Sequence, residues 1–239
     1  MEPMDLQQLK PQVAAIIAQE AGASTDAEAD RILDAAMAQR PEDCRRLALE
    51  WAGKRAQGVP LGLVLGHQRF LGIDLLARED VLAPRAETEI LGREVLAILQ
   101  SLASEDPQRE LRMIDMGCGS GNLACAMAVA IPSTRVWASD ITASCAELTR
   151  ANVAHLSLQA RVQVSQGDLF APLVGKGLEG TMDLVVMNPP YIPSTSLEKS
   201  HAALLNHEPR EAFDGGPYGI SILTQIGRAS CRERVLFEV

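Results

Sequence analysis

Asn188-Pro189-Pro190-Tyr191 is the stretch of this 239-residue chain whose residue types are hardest to explain by packing alone. The Asn188 side-chain carbonyl is a hydrogen-bond acceptor, and Pro189 offers a carbonyl while lacking an N–H. Two consecutive prolines stiffen the loop and leave less to be ordered on binding. The Tyr191 ring can lie against the flat face of a planar amide or base. Together these groups suit a nitrogen whose lone pair is delocalised. Such a nitrogen is a poor nucleophile, so its N–H hydrogens must be accepted while it is aimed at an electrophile. A rigid turn without chemistry is the plainer alternative.

Three further groups point to a nucleoside. Gly117-Cys118-Gly119-Ser120-Gly121 has G-x-G-x-G spacing, and Asn122 excludes the G-x-G-x-x-G of dinucleotide sites. Glycines there allow close backbone approach, and a helix opening behind them presents free N–H groups. A simple strand-to-helix turn is the alternative. Asp140 ends an apolar run and can accept both hydroxyls of a ribose, or else cap the next helix. Asp168, after Gly167, can accept from the exocyclic amine of an adenine that Leu169 covers, or serve as an ordinary turn aspartate.

The elements that must carry these groups are legible. Short apolar runs at Arg112–Met116, Arg135–Ser139, Arg161–Ser165 and Met182–Met187 predict strands. Helical stretches at Leu123–Ile131 and Cys145–Leu156 separate the first three. Strand–helix alternation means a mainly parallel sheet with right-handed crossovers, and each candidate group then follows a strand at the carboxyl edge. Ahead of this lie a helix from about Glu87 to Leu102 and a hairpin. The hairpin is expected from Gln68–Leu76 and Val81–Ala83, turning at Arg78-Glu79-Asp80. The first sixty residues read as a small helical bundle. Leu9, Val13, Ile16 and Ile17 recur at helical spacing, as do Ile32, Ala35 and Ala36, then Leu47, Leu49 and Trp51. Ser24-Thr25-Asp26 before Glu28 resembles a capping box, Pro41-Glu42-Asp43 suits a first turn, and Gly58–Gly62 breaks the helical pattern.

Bulk properties narrow the function. Apolar residues make up 47% and aromatics 3%, so Ala and Leu fill the core of a helix-rich α/β protein. The net charge of −9 and the lack of a basic stripe argue against direct nucleic-acid binding. Five cysteines without repeated spacing suggest neither a disulfide framework nor a metal site, and no metal is expected. The apolar run Val13–Ala18 is too short for a membrane span or signal peptide, which predicts a cytoplasmic protein with no membrane partner. The four histidines, His67, His155, His201 and His207, are scattered and suggest no catalytic base.

With these residues in hand, the chain resembles the release-factor glutamine methyltransferases, the HemK or PrmC-like family, over about residues 1–226. Three stretches beyond the nucleoside loop carry the likeness. Pro60–Gly66 with Phe70-Leu71-Gly72 is similar to its interdomain stretch, and Val81–Glu89 resembles its "hxPRxxTE" segment. Glu208-Pro209 with Asp214–Gly219 resembles its "EP…GGxxG" loop. The resemblance implies a class I S-adenosylmethionine methyltransferase fold, Rossmann-like, behind a small all-α domain that recognises the partner. It implies methyl transfer to the glutamine amide in the Gly-Gly-Gln loop of peptide chain release factors. Gly117, Cys118, Gly119, Ser120, Gly121, Asp140, Asp168, Leu169 and Asn188 would hold S-adenosylmethionine, and Asn188, Pro189, Pro190 and Tyr191 the glutamine. The displacement at the sulfonium methyl would draw its rate from positioning and electrostatics, with no strong base.

The expected organisation is a helical recognition domain over 1–62, a hairpin linker over 63–86 and the methyltransferase domain over 87–226, in a monomer. Gly62 stands where the family has a larger, often aromatic residue. The tail, 227–239, departs from the family pattern and brings three arginines into an acidic chain. The family continues for roughly 40–60 residues at ordinary element lengths. The sheet is therefore expected to be truncated after the fourth strand, with foreign sequence following, and an unstable or inactive fragment that only binds the cofactor is an alternative reading. Other amide or amine acceptors, a ribosomal-protein glutamine or a nucleic-acid base, share the chemistry. A dehydrogenase would leave Asn188 to Tyr191 without a role.

Overall fold

The computed structural model describes residues 6–19, 25–199, 205 and 208–230. Ser24, His201, His207, Cys231 and the tail from 231 onward lie outside the described residues. The chain divides into two compact units, the first ending at Gln68 and the second beginning at Arg69.

The first unit is helical. Helices α1 (Leu6–Ile17), α2 (Thr25–Gln39) and α3 (Cys44–Ala56) each turn small or branched apolar residues inward. Leu9, Val13, Ile17, Ile32, Ala36, Ala48 and Ala52 are almost fully buried, at the i, i+3/i+4 spacing that produces one apolar stripe per helix. Pro41–Asp43 forms a 3-10 turn that leads straight into α3. The pattern does break at Gly58, but helix resumes: Pro60 caps α4 (Leu61–Leu65), and Leu61 and Val64 join the same core. A part-buried Arg55–Glu28 pair, Nε to Oε2 2.8 Å, joins α3 to α2.

The hairpin differs from expectation. Its strands are β1 (His67–Phe70) and β2 (Ile73–Leu76), and Val81–Ala83 is not a strand. The two-residue turn falls inside the stretch read as one strand, because Leu71 and Gly72 both take positive φ, 44° and 84°. Two left-handed residues define the turn that matches strand twist, and Leu is an uncommon choice for the first of them. Val81 and Ala83 are apolar because they pack: their exposures are 1% and 5%.

In the second unit α5 (Ala86–Glu105) precedes four parallel strands, β3 (Leu111–Met116), β4 (Thr134–Asp140), β5 (Val162–Gln166) and β6 (Leu184–Met187). Helices α6 (Asn122–Ala130) and α7 (Ala143–His155) cross between them. The sheet order is β5-β4-β3-β6. The chain therefore moves outward from β3 to β5 and then returns to the far side of β3. That return creates a switch point, the place where open α/β sheets bind ligands. The register aligns Met116 with both Ser139 and Met187, so all four strands end at one edge.

Alternation along β3 sends Leu111 and Met113 into one core and Ile114 and Met116 into another. A sheet covered on both faces explains why the strands read as apolar runs. Beyond β6 come α8 (Ser194–Lys199), a 3-10 turn at Arg210–Ala212 and α9 (Ser221–Ser230). Residues 227–230, set apart from sequence as part of an atypical tail, are the last residues of α9. Ile226 of that helix is 3% exposed against the β6 side of the sheet. No described helix is long and apolar enough to cross a membrane.

Candidate functional site

The carboxyl edge opens into a cleft of about 460 Å³. Of the residues singled out from sequence, Gly117, Gly119, Asp140, Asp168, Leu169, Asn188 and Pro190 line it. Cys118 and Ser120 are 2% and 3% exposed and border instead a small adjoining cavity of about 50 Å³, which Asn188 also reaches. Gly121 lines neither. Tyr191 stands at 66% exposure, free to meet a partner group outside the cleft.

Asp140 does more than either sequence alternative. Its Oδ1 accepts from the Thr142 N–H at 2.9 Å and its Oδ2 from the Gly119 N–H at 2.9 Å. It thus joins the end of β4 to the glycine loop, while Thr142 occupies the cap position of α7. Each carboxylate oxygen keeps lone-pair capacity toward the cleft. Asp168 is exposed, and Leu169 takes φ 45° and accepts a hydrogen bond at its carbonyl from Ser139 Oγ, 3.3 Å. A non-glycine residue held left-handed by its neighbours is a feature of functional loops.

Asp115 lies inside the strand read at Arg112–Met116 and was given no role from sequence. It is 1% exposed, and its Oδ2 accepts from the Ala124 N–H at 2.9 Å in the first turn of α6. Burial pushes its carboxyl up to about 7, opposed by the Ala124 bond and assisted by the nearby Asp140 charge. The Cys145 thiol in the cleft wall is likewise pushed to about 12, by burial first and the Asp140 charge second, which keeps it protonated and unreactive.

Asn188 is oriented by α5. Its Nδ2 donates to Thr88 Oγ1 at 3.2 Å, and Thr88 is 7% exposed in the first helical turn. Directing the amide N–H₂ at Thr88 leaves Oδ1 as the group available to a ligand N–H.

The loop around Tyr191 is braced from behind. Ile192 bridges to Asp214: its N–H donates to the Phe213 carbonyl and its own carbonyl accepts from Gly215 N–H, both at 2.9 Å. A Cβ on Gly215 would stand 2.8 Å from the Tyr191 Cα, so glycine is required for the approach. Asp214 accepts from Ser194 Oγ (2.6 Å), Gly216 N (3.0 Å) and Arg210 Nε (2.9 Å), and these bonds, Ser194 first, hold its carboxyl below the usual range. A second brace is Glu208, 6% exposed, which accepts from the Ala83 N–H at 3.1 Å and pairs with Arg85. The quoted motifs contained Ala83, Arg85, Thr88, Glu208 and Asp214 but not Ile192, Ser194 or Arg210, and the pairings of Glu208 with Ala83 and Arg85 and of Asn188 with Thr88, across 100 and more positions, were beyond pattern reading. The inward-facing Thr149 and Asn152 of α7 were missed altogether. The available signal was two polar residues, three apart, among the helix's buried positions.

A four-stranded parallel sheet in the order β5-β4-β3-β6, with a cleft at its switch point, is the doubly wound α/β architecture to which class I methyltransferases belong. The same architecture is found in two crystal structures of human METTL16. One is the catalytic domain in complex with MAT2A 3'UTR hairpin 1, with a TM-score of 0.53 and 17% identity over 78% of this chain and 64% of that one. The other is the N-terminal domain in complex with SAH, with a TM-score of 0.51 and 14% identity over 98% of this chain and 77% of that one. The family model described as "Methyltransferase small domain" matches residues 93–220, and the chain belongs to that family. Among curated relatives, the release factor glutamine methyltransferase of Moorella thermoacetica is 41% identical over 167 residues, 70% of this chain and 55% of the relative. That of Rhodopirellula baltica is 34% identical over 189 residues, 78% and 62% respectively. The chain thus spans less than two thirds of the length of these curated relatives.

Proposed function

We propose that this chain transfers a methyl group from S-adenosylmethionine to the side-chain amide nitrogen of the glutamine in the Gly-Gly-Gln loop of peptide chain release factors. The observation that carries the reading is the placement of Asn188. It lies on the rim of the cleft that Gly117, Gly119, Asp140 and Asp168 line, with its N–H₂ engaged by Thr88 and its carbonyl left as an acceptor. The relatives named as release factor glutamine methyltransferases support the choice of acceptor.

The residues fit the donor. Asp140 retains acceptor capacity for ribose hydroxyls, Asp168 is open to an exocyclic amine, and Leu169 can cover the base. The glycine loop contributes backbone, since its Cys118 and Ser120 side chains are buried. When bound, S-adenosylmethionine supplies an electrophilic methyl group. The protein's own task is at the acceptor: Asn188 Oδ1 and the Pro189 carbonyl take the two amide N–H bonds, which fixes the nitrogen's direction of approach. The exposed Tyr191 ring lies against the amide plane. The nitrogen sheds its proton after alkylation, so the site works without a buried base.

The test is label transfer from radioactive S-adenosylmethionine to purified release factor, with a factor carrying Gln→Ala in the Gly-Gly-Gln loop beside it. Labelling of the intact factor alone is the expected result. Equal labelling of both factors, or none despite donor binding, overturns the substrate assignment.

A further inference from the structure

Helix α7 gives Cys145 to the cleft wall, and two of its buried polar side chains hold consecutive carbonyls of the glycine loop. Thr149 Oγ1 donates to the Gly119 carbonyl at 2.9 Å, and Asn152 Nδ2 donates to the Ser120 carbonyl at 2.9 Å. Both residues have zero exposure. We propose that Thr149 and Asn152 are positioning residues for donor binding, a clamp that sets the peptide planes of the glycine loop.

The bonding inventory leaves little freedom. A threonine hydroxyl has one hydrogen, and here it goes to Gly119; the Cys118 thiol, 3.4 Å from the same oxygen, is therefore the donor in that pair. Burial holds the Cys118 thiol well above its ordinary pKa, so it keeps the hydrogen it donates. Asn152 spends its second N–H on the Leu76 carbonyl (3.2 Å), and its Oδ1 accepts from the Leu76 N–H (2.7 Å). Reversing the amide would place its N–H₂ against the Leu76 N–H, so only one orientation satisfies all three bonds. The side chain thereby ties the glycine loop to β2 of the hairpin.

A peptide's C=O and N–H point in opposite directions. Drawing the Gly119 carbonyl toward α7 therefore turns the Ser120 N–H away from that helix. Packing reinforces the geometry: Gly121 has φ 77°, and a Cβ there would stand 2.7 Å from Thr149 Cγ2. The methyl and the hydroxyl of one threonine thus constrain two loop residues, Gly121 and Gly119, and neither needs to touch the ligand.

The inference rests on the reading of the cleft as a donor site, and the experiment separates the two. Binding of S-adenosylhomocysteine to the full chain is measured by calorimetry, alongside the melting temperature, for the unaltered protein, Thr149→Val and Thr149→Ser. Valine keeps the shape and removes the donor; serine keeps the donor. Thr149→Val is expected to raise Kd about tenfold, a loss of roughly 1.4 kcal/mol. Thr149→Ser is expected to stay within about twofold of the unaltered protein, as restoring one hydrogen bond requires. If Thr149→Val does not fold, Thr149→Ala carries the same comparison without the added methyl. A hydroxyl-less variant with unchanged Kd, whatever its melting temperature, overturns the clamp. Absence of binding by the unaltered chain overturns the donor-site reading instead.

Discussion

The two units of this protein bury different things. In the helical unit the core is Leu, Val, Ile and Ala with Cys44 and Trp51, drawn from four helices, and the charged pairs Lys10–Asp30 and Arg46–Asp43 lie in solvent. In the sheet unit Thr88, Asp115, Ser139, Asp140, Thr149, Asn152 and Glu208 are all buried, and they gather around the carboxyl edge of the strands. Every buried polar or charged residue among those described belongs to this second unit. Apolar burial stabilises without demanding one arrangement, whereas a buried polar group must find its partner or cost about 1–3 kcal/mol. The sheet unit accepts that risk where a site has to be shaped, and the helical unit does not.

Substitutions can break this contrast. The largest effect is expected at Asn188→Ala, which removes the acceptor and should lower turnover by roughly 10²–10³-fold, as loss of one preorganised group does. Steady-state methyl transfer beside S-adenosylhomocysteine calorimetry would read it, with binding changed far less than rate. A loss confined to binding would contradict the role given to Asn188. In the helical unit, Ile32→Ala should cost about 3 kcal/mol by urea unfolding while leaving S-adenosylhomocysteine affinity unchanged. An affinity change there would show that the two units are not energetically separate.

Glu208→Gln keeps an acceptor for the Ala83 N–H but ends the ion pair with the part-exposed Arg85, so a loss of about 1–2 kcal/mol is expected. Urea unfolding of the variant at neutral pH would measure it. The remaining prediction is a pH dependence carried by Asp115, whose carboxyl is raised from 3.8 to about 7 in the folded protein. Between those values the folded state holds a proton that the unfolded state has lost. Stability from this group is therefore full below about pH 4 and declines as pH rises toward 7, by at most about 1.4 kcal/mol per pH unit. Asp115→Asn, which can still accept from Ala124, should flatten that decline in melting curves taken from pH 4 to 8. An unchanged slope would place the titration elsewhere.

Legibility followed the range of the physics. The strands of the sheet were read to within two residues, because each is a short apolar run bounded by polar or glycine punctuation. Helices α5, α6 and α7 were likewise recognised, as helical stretches at Glu87–Leu102, Leu123–Ile131 and Cys145–Leu156. The hairpin was misplaced, since its turn depends on Leu71 adopting a backbone conformation that its side chain does not advertise. Helix α9 (Ser221–Ser230) was not read from sequence, and the charge and glycine of its last residues set them apart as a tail.

By itself the sequence determined the alternation of strands and helices, the apolar faces of the helical unit and the residues that follow each strand. These are local properties, written in periodicity and in the torsional habits of glycine and proline. Only the tertiary structure decided which of those residues share a cleft and which lie buried behind it. Asp140 reaching Gly119, Thr88 turning Asn188, Glu208 meeting Ala83 and Asn152 joining Ser120 to Leu76 are contacts between residues 21 to 125 positions apart. Such pairings arise when a parallel sheet brings its strand ends to one edge, and no local pattern encodes them.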